Sequence, residues 1–269
     1  MTHPAASGDL ALVAGDARAV VSPGNGGRLA SVVVAGHELL VNEGEAHPMQ
    51  WGCYPMAPWA GRVRRGRFAF RGQTYQLPLG MPPHAIHGTA YDRPWQVLDA
   101  RTIAIDLAAD GRWPLGGRVT QRFELDEAGL AVSMTLEATQ AMPAMLGWHP
   151  WFRRVLAPGD APVRLAFAAA EMLVRDGEGM PTGERVPPPR GPWDDAFAGV
   201  RDDPVLEWPG RLRLAIASSC DWWVVYSEPE HAVCVEPQSG PPDAFNGEPE
   251  VLEPGASMTH EMRWRWTCL

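Results

Sequence analysis

Apolar, β-branched and aromatic residues come in short runs along this chain, set apart by glycine and proline. They are ARAVVS (17–22), RLASVVVAG (28–36), FAFRGQTYQL (68–77), TIAIDLA (102–108), VTQRFEL (119–125), LAVSMTLEA (130–138), VRLAFAA (163–169), LRLAIASS (212–219) and WWVVYS (222–227). Runs rich in Val, Ile, Phe, Trp and Thr suit a pleated, half-buried surface, and no segment sustains the 3.6-residue period of an amphipathic helix. The pattern predicts an all-β chain, folded as a large antiparallel sandwich or barrel. The 28 glycines and 27 prolines punctuate the runs and do not collect into a linker. Residues 1–269 therefore read as one domain. The cluster PGNGGR (23–28) reads as a tight turn without the spacing of a phosphate-binding loop. The segment DGEGMPTGERVPPPRGPWDDAF (176–197) reads as a long surface loop, a place where site residues often reside.

Composition narrows the partners. A net charge of -9 argues against a general nucleic-acid binder or a protein of anionic membranes, both of which carry basic surfaces. No run approaches the roughly 20 apolar residues needed to span a bilayer, and the N-terminus lacks a basic segment followed by an apolar one. Cys53, Cys220, Cys234 and Cys268 are widely spaced, which suits reduced thiols in a cytoplasm. The expected location is therefore cytoplasmic, and oligomeric state is left open.

Several segments carry candidate chemistry. Glu236 closes an apolar run in VVYSEPEHAVCVEPQSGPPDAFN (224–246). A carboxylate there is either satisfied by a structural partner or held for proton transfer. Arg62, Arg64, Arg65 and Arg67 lie in the aromatic stretch HPMQWGCYPMAPWAGRVRRGRF (47–68), where Trp51 and Trp59 offer apolar walls. His84 and His87 lie three apart in MPPHAIHG, and His149 lies between Trp148 and Trp151. Zinc would need further ligands and a helix face that these proline-broken segments lack, so no metal is expected. Two histidines and a glutamate instead make an acid/base set near neutral pH. Asp194 and Asp195 in PWDDAF could accept hydrogen bonds from adjacent sugar hydroxyls.

Taken in order, YPMAPWAGRVRRGRF, AIHG, GWHPWF and VCVEPQSGPPDAFN make the chain resemble the aldose 1-epimerase (mutarotase) family from about residue 20 to the C-terminus. The resemblance implies a galactose mutarotase-type β-sandwich with a sugar cleft on one face, and no cofactor. It carries Arg62, His87, His149, Asp194 and Glu236 over as site residues. Gly61 stands where many members have Asn, and Asp194-Asp195 where they typically have Asp-His. The implied reaction interconverts α and β anomers of a free aldose, most simply a hexose. Glu236 is the expected base, His149 the acid and His87 the ring-oxygen contact, while Arg62, Asp194, Trp59 and Trp148 are the expected substrate contacts. Other readings stay open: a glycosidase using Asp194 with Glu236, a non-catalytic sugar-binding protein, and within the family a hexose-6-phosphate mutarotase.

Overall fold

The computed structural model describes residues 8–42, 47–107 and 111–269. Strands dominate, as the short apolar runs require, in two large sheets of 11 and 8 strands. Neighbouring strands in both sheets run antiparallel. The larger sheet carries Cys53–Met56, Gly147–Arg153, Ala232–Gln238, Trp222–Tyr226, Asp194–Ala198 and Glu171–Arg175 side by side. Among the described residues no helix is long and apolar enough to cross a membrane.

The core lies between the sheets, because each strand turns alternate residues toward it. Arg118–Asp126 buries Val119, Gln121 and Phe123 and leaves its other face more open. Phe152 of the larger sheet meets Trp264 of the smaller at 4.9 Å between ring centroids. Burying each such side chain contributes about 1.5–3 kcal/mol. Trp148 donates its indole N–H to Gln121 Oε1 across the same interface, at 3.2 Å.

Each of the nine apolar runs contains a strand, with 68–77 forming most of a hairpin of Arg67–Phe70 and Gln73–Gln76. The glycine cluster is a turn between Ala17–Ser22 and Arg28–Val34. Its glycines serve close packing: a Cβ on Gly26 would fall 1.6 Å from the carbonyl oxygen of Tyr91. Beside it, the buried Arg28 guanidinium donates to the carbonyls of Asn25, Pro48, Trp51 and Tyr91.

The expected long loop at 176–197 is corrected by the structure. It contains Pro181–Val186 and the start of Asp194–Ala198, both strands of the larger sheet. Pro181–Val186 lies at the sheet's edge, where a proline costs no interior ladder bond.

Candidate active site

Three adjacent strands set the centre of the site. His149 faces Tyr54 in the ladder between Gly147–Arg153 and Cys53–Met56. On its other side the pairs Gly147 with Gln238 and Trp151 with Cys234 fix a register that puts His149 opposite Glu236. His149 Nε2 and Glu236 Oε1 are 3.1 Å apart, and both residues are almost wholly buried. Gln238, two residues on and hence on the same face, donates its amide to Glu236 Oε2 at 3.2 Å. The His149 ring stacks between Tyr54 and Trp151, at 4.7 and 5.3 Å between centroids.

Arg62 and His87 arrive from outside the sheet on a short ribbon that pairs Arg62–Val63 with Ala85–Ile86. His87 takes a left-handed backbone, φ 58, and its N–H bonds to the carbonyl of Gly61 at 3.0 Å. That unusual conformation turns its ring edge toward His149, 5.2 Å between centroids. Gly88 follows with φ 78, and a Cβ there would fall 2.0 Å from the carbonyl oxygen of Ala57. The loop after Glu236 is tied to the arginine segment: Asp243 N–H donates to the Arg62 carbonyl, and Arg64 N–H to Asp243 Oδ1.

These groups open on a cleft of about 330 Å³. Arg62, His87, His149, Asp194 and Glu236 all line it, so the structure brings together five of the seven expected site residues. The Arg62 guanidinium makes no ion pair among the described residues, and it donates a hydrogen bond to the Met81 sulfur at 3.7 Å. Asp194 and Asp195 both line the cleft and share Arg175, which donates from Nη1 to Asp194 at 2.8 Å and from Nε to Asp195 at 2.7 Å.

The expected substrate contacts Trp59 and Trp148 are corrected. Trp59 packs with Trp113 and Phe245 away from the cleft. Trp148 points into the inter-sheet core because it is one residue from His149, and a strand sends adjacent side chains to opposite faces. Trp51 is likewise used elsewhere, under the Arg28 guanidinium at 4.2 Å. The cleft's aromatic lining is Tyr54, Trp151 and Tyr226. With Gln238 and Arg175 these are the residues sequence reasoning missed. Trp151 and Gln238 carried a readable signal, each lying two positions from a candidate.

Burial governs protonation. It holds the Glu236 carboxyl well above the ordinary carboxylate range, helped by the nearby Asp194 charge and opposed by Gln238 and Arg62. It pushes His149 down to about 3 and His87 well below its ordinary value, the latter helped by His149 and Arg62. Both shifts favour the uncharged forms of the pair, carboxylic acid and imidazole. Around it, His87 Nδ1, His149 Nδ1, Tyr54 OH and Gln238 Oε1 are buried with no hydrogen-bond partner, a costly arrangement relieved if a polar ligand enters.

His84 and His87 face different surroundings, only His87 lining the cleft. His84 Nδ1 accepts from the Arg65 N–H, and its Nε2 lies 3.9 Å from Glu178. A different donor set exists, since ligand atoms of His149, Cys234 and Glu236 lie within 4.8 Å of one another. The Cys234 thiol is wholly buried and its pKa is pushed far up by that burial, which keeps it protonated and a poor ligand.

Comparison with known proteins places the chain as a whole. YphB of Escherichia coli (strain K12), an uncharacterized protein, is 27% identical over 240 residues, covering 79% of this chain and 83% of its own. A galactose mutarotase-like protein from Clostridium acetobutylicum superposes with a TM-score of 0.84 at 16% identity, over 96% of this chain and 95% of its own. Galactose 1-epimerase from Lactobacillus acidophilus NCFM does so with a TM-score of 0.78 at 18% identity, over 100% and 98%. At such identities these two likenesses speak to the fold. The model of the aldose 1-epimerase family matches residues 9–265, and the chain belongs to that family.

Proposed function

We propose that this protein interconverts the α and β anomers of a free, unphosphorylated aldose, and that the His149–Glu236 pair is its proton-transfer centre. The observation that carries the reading is the 3.1 Å approach of these two buried groups at the floor of a cleft where Tyr54 OH, His87 Nδ1 and Gln238 Oε1 are buried without a hydrogen-bond partner. Ring opening removes the proton of the anomeric hydroxyl and delivers one to the ring oxygen. With carboxylate and imidazolium in place, Glu236 takes the first and His149 gives the second. The carbonyl then rotates, and closure on its other face runs the same transfers backwards. Burial alone favours the neutral form of the pair, carboxylic acid and imidazole. The ionic form holds the same number of protons, and a polar sugar between the groups replaces the solvation that burial removed. His87 contacts the ring oxygen, and Arg62 and Asp194 orient hydroxyls, which lowers the entropic part of the barrier. The reaction needs neither metal nor organic cofactor.

The test is anomeric exchange of a panel of free aldoses, followed by NMR with and without protein. Catalysed exchange that is lost in Glu236→Gln, with sugar binding retained, supports the reading. Release of sugar from glycosides would move it to a glycosidase. Binding without either reaction would leave a sugar-binding protein.

A further inference from the structure

Gln238 is not among the residues that the reaction above uses, yet its surroundings are those of a working group. It is 1% exposed, lines the cleft, and stands on the same face of its strand as Glu236. Its two ends are treated unequally. The amide nitrogen donates to Glu236 Oε2 at 3.2 Å, while the amide oxygen is buried with no partner. An apolar or merely packed role would not leave an acceptor stripped of water beside the carboxylate that its own donor holds. In the structure the Gln238 NH2 faces Glu236 and the oxygen faces elsewhere, the orientation that the ionic form of the pair requires, since a carboxylate has only acceptors.

We infer that Gln238 is a bridging residue, holding the second oxygen of Glu236 through its NH2 and accepting a hydrogen bond from a substrate hydroxyl through Oε1. The inference rests on the anomer-exchange reading for its substrate half only. The class of ligand it names is a polyol with a hydroxyl next to the reacting centre, since the acceptor lies one strand pleat from Glu236. Filling that acceptor completes the amide's hydrogen bonds, so substrate binding and placement of the base become one event. By donating to Glu236, Gln238 stabilises the carboxylate and so favours the ionic form of the His149–Glu236 pair.

The experiment uses Gln238→Met, which keeps the volume and removes both donor and acceptor, with Gln238→Glu as the polar control. In Gln238→Met the alkaline limb of the kcat/KM profile moves to higher pH, because a carboxylate without its donor holds its proton more tightly. The KM rises about tenfold from the lost substrate bond, and kcat falls. Gln238→Glu moves the same limb further, since a second carboxyl opposes ionisation of the first. Glucose lacking one hydroxyl at a time locates the contact: one deoxy sugar is a poorer substrate for the wild type and no poorer than glucose for Gln238→Met. The Glu236 half is read without turnover, by following the Glu236 carboxyl in ¹³C NMR, assigned with Glu236→Gln. Its titration shifts to higher pH in Gln238→Met. If the wild type exchanges no anomers while that shift is seen, the reaction assignment fails and the hold on Glu236 stands. An unshifted titration and unchanged KM in a folded variant overturn the inference.

Discussion

At the residue scale the decisive fact is that Glu236 and His149 are buried together, and burial gives their titration a definite sign. The Glu236 pKa is raised in the folded protein, so the folded state keeps a proton that the unfolded chain releases near pH 4.5. Its contribution to stability is therefore fully present below that pH and is lost as pH rises through the folded value. The His149 pKa is lowered from 6.5 to about 3, so its contribution is present above 6.5 and is lost as pH falls toward 3. Glu236→Gln is thus expected to raise the melting temperature at neutral pH, by a margin that shrinks as pH approaches 4.5. Its kcat should fall by roughly 10²–10⁴-fold, the usual contribution of one acid or base. Thermal melts at several pH values check the first; saturation kinetics check the second. The wild-type kcat/KM profile should be a broad bell, its alkaline limb reporting loss of the shared proton and its acid limb the second protonation of the pair. A single rise with pH through the ordinary histidine range would contradict this.

At the element scale, the site is made by neighbouring strands whose ladder pairs on either side of His149 fix its register with Glu236 and Tyr54. The strand Glu171–Arg175 contributes Leu173 to the cleft wall, and its last residue reaches across to clamp two carboxylates on Asp194–Ala198. Arg175→Gln should leave those acids without their cation, costing about 1–3 kcal/mol of stability in a denaturant titration, and should raise KM more than it lowers kcat. An unchanged KM would show that Asp194 does not touch the sugar. The ribbon carrying Arg62 and His87 depends on Gly88 in the same way. Gly88→Ala places a methyl against the Ala57 carbonyl in a backbone conformation that disfavours it. We expect a loss of about 3 kcal/mol or more, with loss of exchange activity as His87 moves. The strands that carry the site were hard to read as strands, because Pro55, Pro150 and Pro237 sit inside them and proline ordinarily argues against a central strand. Their motifs were legible where their secondary structure was not.

At the scale of the whole molecule, charge placement bears on substrate. Of the four clustered arginines, Arg64 is engaged by Asp176, Glu178 and Asp243, and Arg65 by Glu178. Arg62 remains in the cleft without an ion pair among the described residues, and it faces a site that also holds Asp194, Asp195 and Glu236. A sugar phosphate would meet this acidic surround with one available guanidinium, so glucose or galactose should be exchanged faster than glucose 6-phosphate at equal concentration. A phosphate preference that weakens with added salt would reverse the assignment. Exhaustive chelation should leave exchange intact. Activity lost on chelation and restored by a divalent ion would reassign His149, Cys234 and Glu236 as ligands.

The sequence by itself determined the all-β class, because period and β-branched composition are local properties, and it marked Arg62, His87, His149, Asp194 and Glu236 by their motifs. It also held, unread, the alternation that sends Trp151 and Gln238 into the cleft and Trp148 into the core. Only the tertiary structure decided what converges. The pairing of His149 with Glu236 joins residues 87 positions apart through strand register, and Arg175 reaches Asp194 only because a stretch rich in proline and glycine folds into strands of the same sheet. Trp59 shows the converse: an aromatic beside a site motif was taken by a hydrophobic cluster with Trp113 and Phe245. Local sequence states what a side chain can do; which face it occupies and which partner it meets depends on long-range pairing, to which local patterns are blind.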